Sequence, residues 1–249
     1  MKLPITLFIA STLASPLSAE TVYTVPQGYT KITVAAAPAS GQTSLTAISA
    51  TLLTDVEFSS SATLGAFGAN VQPLTAAGQT WTANEWVTNG PYLAYITGID
   101  NDENDSIPAP EEAFLISGNT ADTLTLNTLS NLTATTTAGP QRFPTSTTVK
   151  IRKAHTIGSL LGTTPGTVAL QQFSVSSFAD NVFVWNGSGW VTYFFNETSW
   201  QRDTGTGAPD PADDVIFPDE GIFVLRRGIT PIEITFFGEV PSKPQISTL

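Results

Sequence analysis

The chain has 249 residues, a formal net charge of −11 and no cysteine. These values exclude a disulfide framework and a lipid-bearing cysteine, and the acidic surface disfavours nucleic-acid binding because it repels phosphate backbones. Charged residues make up only 12%, against about 25% in an average domain, while 41% of the residues are hydrophobic. This composition favours a normal core beneath an extended, neutral, β-rich surface of the secreted kind.

The first 19 residues have the pattern of a signal peptide. Lys2 provides the positive start, a mostly apolar run follows, and small residues precede Ala19. We expect cleavage after Ala19 and export to the periplasm, the cell surface or the medium. The apolar run is too short to span a bilayer, and no second hydrophobic stretch of membrane length follows, so no transmembrane segment is expected after cleavage.

Short strands separated by turns recur along the remaining chain and predict an all-β fold. We expect two or three small barrel- or sandwich-like units packed in sequence, without a substantial helix, because proline and glycine recur too often for one. The predicted divisions are an N-terminal β segment at 20–77, a small barrel-like unit at 78–154, a C-terminal β unit at 155–240 and a tail at 241–249.

An acidic segment at residues 100–111 resembles the twelve-residue calcium loop of EF-hands. Oxygen-bearing side chains fall at the first, third and fifth positions, and a glutamate falls at the twelfth. The predicted Ca²⁺ ligands are Asp100, Asp102, Asn104, Ser106 and Glu111, with the backbone carbonyl of Ser106 as one ligand. The sixth position lacks the expected glycine and no flanking helix is predicted, so a solvated acidic loop is the alternative interpretation.

A tryptophan-rich hairpin dominates the C-terminal unit. Residues 182–185 and 190–195 are β-branched and aromatic, and the sequence Asn-Gly-Ser-Gly between them predicts a tight turn that makes Trp185 and Trp190 the first cross-strand pair. Apolar residues on both strand faces favour a hairpin buried in the core, Trp190 included. The alternative is an aromatic binding platform for a sugar or a peptide, formed by Trp185, Trp190, Tyr193 and Trp200.

No catalytic residues are predicted. His155 is the only histidine, no Gly-x-Ser-x-Gly motif accompanies it, and zinc sites need several histidine or cysteine ligands. We therefore expect His155 to have a structural or surface role.

An ordered set of segments resembles an uncharacterised family of secreted bacterial all-β proteins, for which no activity is established. The segments are WTAN (81–84), NGPY (89–92), ISGNTADTLTL (116–126), VKI (149–151), HTIGSL (155–160), DNVFVW (180–185), YF (193–194), DVI (214–216) and PDEGIFVLRR (218–227), with Trp200. The resemblance implies a signal peptide and β structure. The chain departs from the family between Ile96 and Phe114, where the acidic segment lengthens a hairpin.

Two functions follow as hypotheses. The first is an exported, non-catalytic β protein with a structural or adhesive role at the cell surface, stabilised by calcium, with a surface protein or polysaccharide as its partner. The second is a carbohydrate-binding or polysaccharide-acting secreted protein that uses the four aromatic residues. Exposure of those rings favours the second hypothesis, and burial favours the first.

Calcium binding makes a prediction about thermal stability. A ligand that binds only the folded protein stabilises it by about 2.7 kcal/mol at a hundred times its dissociation constant. We expect millimolar Ca²⁺ to raise the melting temperature by several degrees, and Mg²⁺ at equal concentration to raise it less. The double variant Asp100→Ala, Asp102→Ala should lose the effect in the same thermal melt. If calcium does not change the melting temperature of the unmutated protein, the segment is an acidic loop without a calcium site.

Overall fold

The computed structural model describes residues 26–49, 51–98, 110–133, 143–203, 213–218, 220–243 and 245–247. Strands dominate these residues, and the helices among them are the short α1 (Glu85–Thr88) and α2 (Ile157–Leu161). The predicted all-β class is confirmed. No helix in these ranges is long and apolar enough to span a membrane.

The strands follow one another closely along the chain. They are β1 (Gln27–Val34), β2 (Ser44–Ser49), β3 (Val56–Leu64), β4 (Val71–Thr75), β5 (Tyr92–Thr97), β6 (Glu111–Asn119), β7 (Thr123–Asn127), β8 (Ser146–Lys153), β9 (His155–Thr156), β10 (Asn181–Trp185), β11 (Trp190–Phe195), β12 (Trp200–Arg202), β13 (Val215–Ile216), β14 (Gly221–Arg226), β15 (Ile232–Glu239) and β16 (Gln245–Ser247).

Strands β3 to β8 form a closed six-stranded barrel. Their order around the barrel is β5, β8, β3, β4, β7 and β6, and the pairing of β6 with β5 closes it. Strand β5 shows the alternation: Tyr92, Ala94 and Ile96 belong to the barrel core. Leu93 and Tyr95 point outwards and are nevertheless buried in a second cluster, so part of the outer barrel wall is covered.

The second unit, here called the sheet unit, combines strands from both ends of the chain. Its five-stranded sheet has the order β12, β11, β10, β14 and β2, and β1 pairs with β15 as a separate antiparallel ribbon. One core cluster unites residues of the sheet with Val34 of β1 and Phe236 of β15. The ribbon and the inner sheet face therefore share a single core.

The sheets do not coincide with the divisions of the chain that the sequence predicts. Strands β1 and β2 join C-terminal strands, whereas β3 and β4 belong to the barrel. Within the predicted tail, β16 pairs in parallel with β6. The barrel strands β3 to β8 follow one another in the chain, whereas the sheet unit combines β1 and β2 with strands that follow residue 180. The barrel is therefore inserted between the N-terminal and C-terminal parts of the sheet unit.

Arg152 joins the barrel to the sheet unit. Its side chain is only 1% exposed, and Nη1 donates to Glu239 Oε2 of β15 at 2.7 Å and to the carbonyl of Thr54. The guanidinium also lies 5.6 Å from the centre of the Tyr95 ring. A buried charge needs such partners, because breaking a buried pair costs about 3–5 kcal/mol.

His155 lies at the same junction and has a structural contact there. Its Nε2 lies 2.7 Å from the carbonyl oxygen of Leu52. Burial lowers the pKa of His155 below its ordinary value of 6.5, because desolvation disfavours the imidazolium.

The lowered pKa of His155 predicts acid sensitivity. Below pH 6.5 the unfolded chain takes up a proton that the folded protein resists, so the stabilisation is present above this pH and is lost as the pH falls through the folded-state pKa. We expect the free energy of unfolding to fall between about pH 7.5 and about pH 5.5. The variant His155→Gln keeps an amide donor for Leu52, and its denaturant midpoint should change less over this range. Equal pH profiles for the two proteins would contradict the assignment.

Candidate functional site: the tryptophan hairpin and the groove beside it

The hairpin of β10 and β11 forms with the predicted turn. The carboxamide Oδ1 of Asn186 accepts hydrogen bonds from the backbone N–H groups of Ser188 at 3.1 Å and Gly189 at 2.9 Å. Gly187 has a φ of 88°, which glycine adopts without steric cost. Trp185 and Trp190 are paired directly across the strands, which confirms the predicted register.

The hairpin presents different residues to its two faces. Val184, Tyr193 and Phe195 belong to the core cluster on the inner face, whereas Trp185 is 37% exposed and Trp190 is 51% exposed. The prediction that the core buries Trp190 is wrong. The ribbon covers the inner sheet face, and no second layer covers the outer face near the turn within the parts of the chain that the structure describes.

Six apolar residues form a continuous surface on the outer sheet face, called here the outer patch. Directly opposed residues share a face in an antiparallel sheet. The opposed pairs are Trp185 with Trp190, Phe183 with Phe223, and Leu225 with Leu45.

The tryptophan end of the outer patch is held by edge-to-face contacts. The Trp185 and Trp190 rings are 5.4 Å apart at 66°, and Trp190 lies 5.2 Å from Phe223 at 70°. Such contacts fix ring orientation while leaving ring surface open to solvent. Contiguous exposed apolar surface of this kind makes the outer patch a candidate interaction site.

Tyr193 and Trp200 lie in the core and do not belong to the exposed surface. Trp200 is fully buried, and its indole Nε1 donates to the carbonyl of Gly162 at 2.7 Å. Tyr193 is only 5% exposed. The predicted set of four aromatic ligands therefore divides into an exposed pair, Trp185 and Trp190, and a buried pair.

An ion pair lies beside the buried Tyr193. Arg202 donates from Nε to Asp214 Oδ2 at 2.9 Å and from Nη2 to the same oxygen at 2.6 Å. Desolvation raises the pKa of the Tyr193 hydroxyl well above its ordinary value, and a hydrogen bond to Asp214 adds to the rise. The hydrogen bond to Asp214 also raises the pKa of Arg202. Tyr193 therefore stays neutral, and the Arg202 guanidinium stays charged near neutral pH.

A groove runs between the tip of the hairpin and the barrel, and it has two lobes. The charged lobe has a volume of about 490 Å³, and Trp185, Arg202, Asp214 and Glu220 line it. The apolar lobe has a volume of about 440 Å³, and the barrel residues that line it include Val71, Leu115 and Leu129. Asn186 and Phe217 line both lobes, so the two lobes adjoin at the hairpin turn.

Four of the five predicted calcium ligands lie outside the described residues, namely Asp100, Asp102, Asn104 and Ser106. Glu111 is described: it lies buried at the start of β6, and its Oε1 accepts from Lys150 Nζ at 2.7 Å. No group of three or more histidine, cysteine, aspartate or glutamate residues suited to a metal occurs among the described residues. The calcium interpretation stays a prediction.

Comparisons with protein-family models, with curated proteins and with solved structures found no match to this chain. The resemblance to a secreted bacterial family therefore stays a prediction, and the assignment of function depends on the site itself.

Sequence reasoning missed the groove and most of the outer patch. Asp214 follows Arg202 by twelve residues, and no local pattern connects them. Phe223 was available as a signal, because it alternates with the core residues Ile222 and Val224. Such alternation predicts that Phe223 lies on the opposite sheet face, but not that this face is exposed.

Because Trp200 is buried and Trp190 is exposed, replacing each by alanine should change the stability of the fold by a different amount. We expect Trp200→Ala to lower the free energy of unfolding by about 3–5 kcal/mol, the range for a buried large aromatic. Trp190→Ala should lower it by about 1 kcal/mol, the upper value of a cross-strand aromatic pair. Urea unfolding of both variants measures the difference. Equal losses would contradict the exposure of Trp190.

Proposed function

We propose that the protein is an exported, non-catalytic adhesive protein that binds a neutral polysaccharide at the cell surface through Trp185 and Trp190. The observation that carries the proposal is the exposure of these two rings beside the hairpin turn. Export is supported by the signal-peptide pattern of the first 19 residues.

Exposed indole rings supply the contact that a sugar needs on its apolar side. The C–H faces of a pyranose ring pack against aromatic rings, and tryptophan offers a large rigid surface with few rotatable bonds. Trp190 contacts the rings of both Trp185 and Phe223. The rings are therefore oriented before the ligand arrives, which reduces the entropy lost on binding.

The charge of the protein favours a neutral ligand over an anionic one. The net charge of −11 repels polymers that carry carboxylate, sulfate or phosphate groups. Trp185 also borders the charged lobe, whose lining contains two carboxylates and a single arginine. Cellulose, chitin, starch and β-1,3-glucan are neutral polymers that represent this ligand class.

A protein partner is the second candidate, and a different part of the outer patch favours it. Leu45 is 59% exposed and opposes Leu225, so the patch continues into an aliphatic area away from the tryptophans. Aliphatic side chains pack well against protein surfaces and offer no ring for stacking. This arrangement fits the structural or adhesive hypothesis with a surface protein as the partner.

Adsorption to insoluble polysaccharides tests the proposal. We expect the purified protein to sediment with at least one of cellulose, chitin, starch and β-1,3-glucan. Trp190→Ala should weaken the retention about tenfold, equivalent to about 1.4 kcal/mol of binding free energy. The depletion of protein from the supernatant gives the binding isotherm.

Phe237→Ala is the matched control, because Phe237 is an exposed aromatic residue of the β1–β15 ribbon, 72% exposed and outside the outer patch. Its isotherm should equal that of the unmutated protein. If no polysaccharide retains the protein and Leu45→Arg abolishes adhesion to whole cells, the protein-partner function replaces the proposed one.

A further inference from the structure

The groove beside the hairpin is a second candidate contact for the polysaccharide, and its assignment rests on the proposed function. Trp185 belongs to the outer patch and also lines the charged lobe. Val191 and Tyr193 also line this lobe and lie on the inner face of the hairpin, so a chain stacked on the outer patch reaches the groove by passing around the hairpin turn. Asn186 and Phe217 line both lobes, which therefore adjoin each other.

Polar groups in the groove match the hydroxyl groups of sugars. Asn70, Asn127 and Asn186 place three carboxamides around the apolar lobe. The Oδ1 atom of Asn186 is held by the turn, which leaves its amide nitrogen as a donor. Planar carboxamides pair with adjacent hydroxyl groups through one donor and one acceptor.

The walls of the apolar lobe match the other side of a sugar ring. Val71, Leu115, Leu129 and Phe217 line it, and Leu129 is 65% exposed in the described structure. A surface that alternates apolar side chains with a few polar groups is the usual composition of a small-ligand site. A pure hydrocarbon chain would leave the carboxamides without partners, and that loss is costly when a ligand removes water.

The charged lobe selects against anions. Asp214 neutralises Arg202 through two nitrogen atoms, and Glu220 adds a second carboxylate to the lining. Phosphate or carboxylate groups would meet net negative charge there. Neutral hydroxyl groups instead find both donors and acceptors in an arrangement that already exists without ligand.

We infer that the groove binds a neutral oligosaccharide stretch of the polysaccharide chain that stacks on Trp185 and Trp190. The outer patch then provides the stacking surface, and polar groups of the groove form hydrogen bonds with the hydroxyl groups of the following sugar units. Binding is non-covalent, and no bond of the ligand is made or broken.

A substitution on the exposed wall of the apolar lobe tests the inference without disturbing the core. Leu129→Arg fills the lobe with a long cationic side chain at a position that is already 65% exposed. Ile229→Arg is the matched control, because Ile229 is also 65% exposed and lines a separate cavity together with Phe178 and Arg227. Both variants should melt close to the unmutated protein.

Soluble hexasaccharides of β-1,4-glucose, β-1,4-N-acetylglucosamine, α-1,4-glucose and β-1,3-glucose are the probes, measured by isothermal titration calorimetry. We expect one of them to bind, Leu129→Arg to weaken it about tenfold or more, and Ile229→Arg to leave it unchanged. Asp214→Asn replaces an acceptor oxygen of the other lobe by an amide donor and should weaken the same hexasaccharide.

The outcomes separate the inference from the proposed function. If Trp190→Ala weakens the hexasaccharide and both Leu129→Arg and Asp214→Asn leave it unchanged, the groove inference is overturned and the proposed function stands. If neither the polysaccharides nor the hexasaccharides bind the unmutated protein, the proposed function fails and the groove inference fails with it. An equal effect of Leu129→Arg and Ile229→Arg would also overturn the inference, because added charge alone would then explain both.

Discussion

The buried ion pair between Arg152 and Glu239 is the contact on which the relation of the two units depends. Arg152 belongs to a barrel strand and Glu239 to the ribbon of the sheet unit, and their atoms are 2.7 Å apart in a region closed to solvent. The carbonyl of Thr54 and the ring of Tyr95 complete the environment of the guanidinium. Desolvation makes an unpaired charge there costly, so the junction has one favoured arrangement. The groove lies between the same two units, because one wall belongs to the barrel and the other to the hairpin.

A second constraint is that the central strands of the five-stranded sheet carry large apolar side chains on both faces. The inner face buries Val182, Val184 and Val224 in the core. The opposite face leaves Trp190 half exposed, and burying apolar area contributes about 25 cal/mol per Å². Exposed indole surface forgoes that stabilisation in the isolated protein and recovers it when a ligand covers the ring. This difference is the physical reason to place the proposed binding site on the outer patch and to attribute stability to the inner face.

Local features were predictable from the sequence, and long-range features were not. The turn at Asn186 and the pairing of Trp185 with Trp190 follow from residues that are neighbours in the chain. The pairing of β2 with β14 joins residues more than 170 positions apart. The periodicity of a strand does not indicate which distant strand it pairs with. Alternation likewise separates two faces of a strand without saying which face another layer covers, and this is why the predicted burial of Trp190 was wrong. The ion pair of Arg202 and Asp214 depends on the same long-range folding.

The division of the surface into a stacking area and a polar groove bears on how affinity and selectivity would be distributed. Aromatic stacking tolerates many sugars, because most pyranose rings present an apolar face, so the tryptophans alone discriminate weakly. Hydrogen-bonding groups discriminate strongly, because a mismatched ligand leaves them unpaired after water is removed. Asn70 and Asn127 belong to the barrel wall of the groove and Asn186 to the hairpin turn, so the spacing between the carboxamides depends on how the hairpin lies against the barrel. If the proposed function is correct, the hairpin provides most of the affinity for the polysaccharide. The arrangement of the barrel and the hairpin around the groove then determines which polysaccharide is selected.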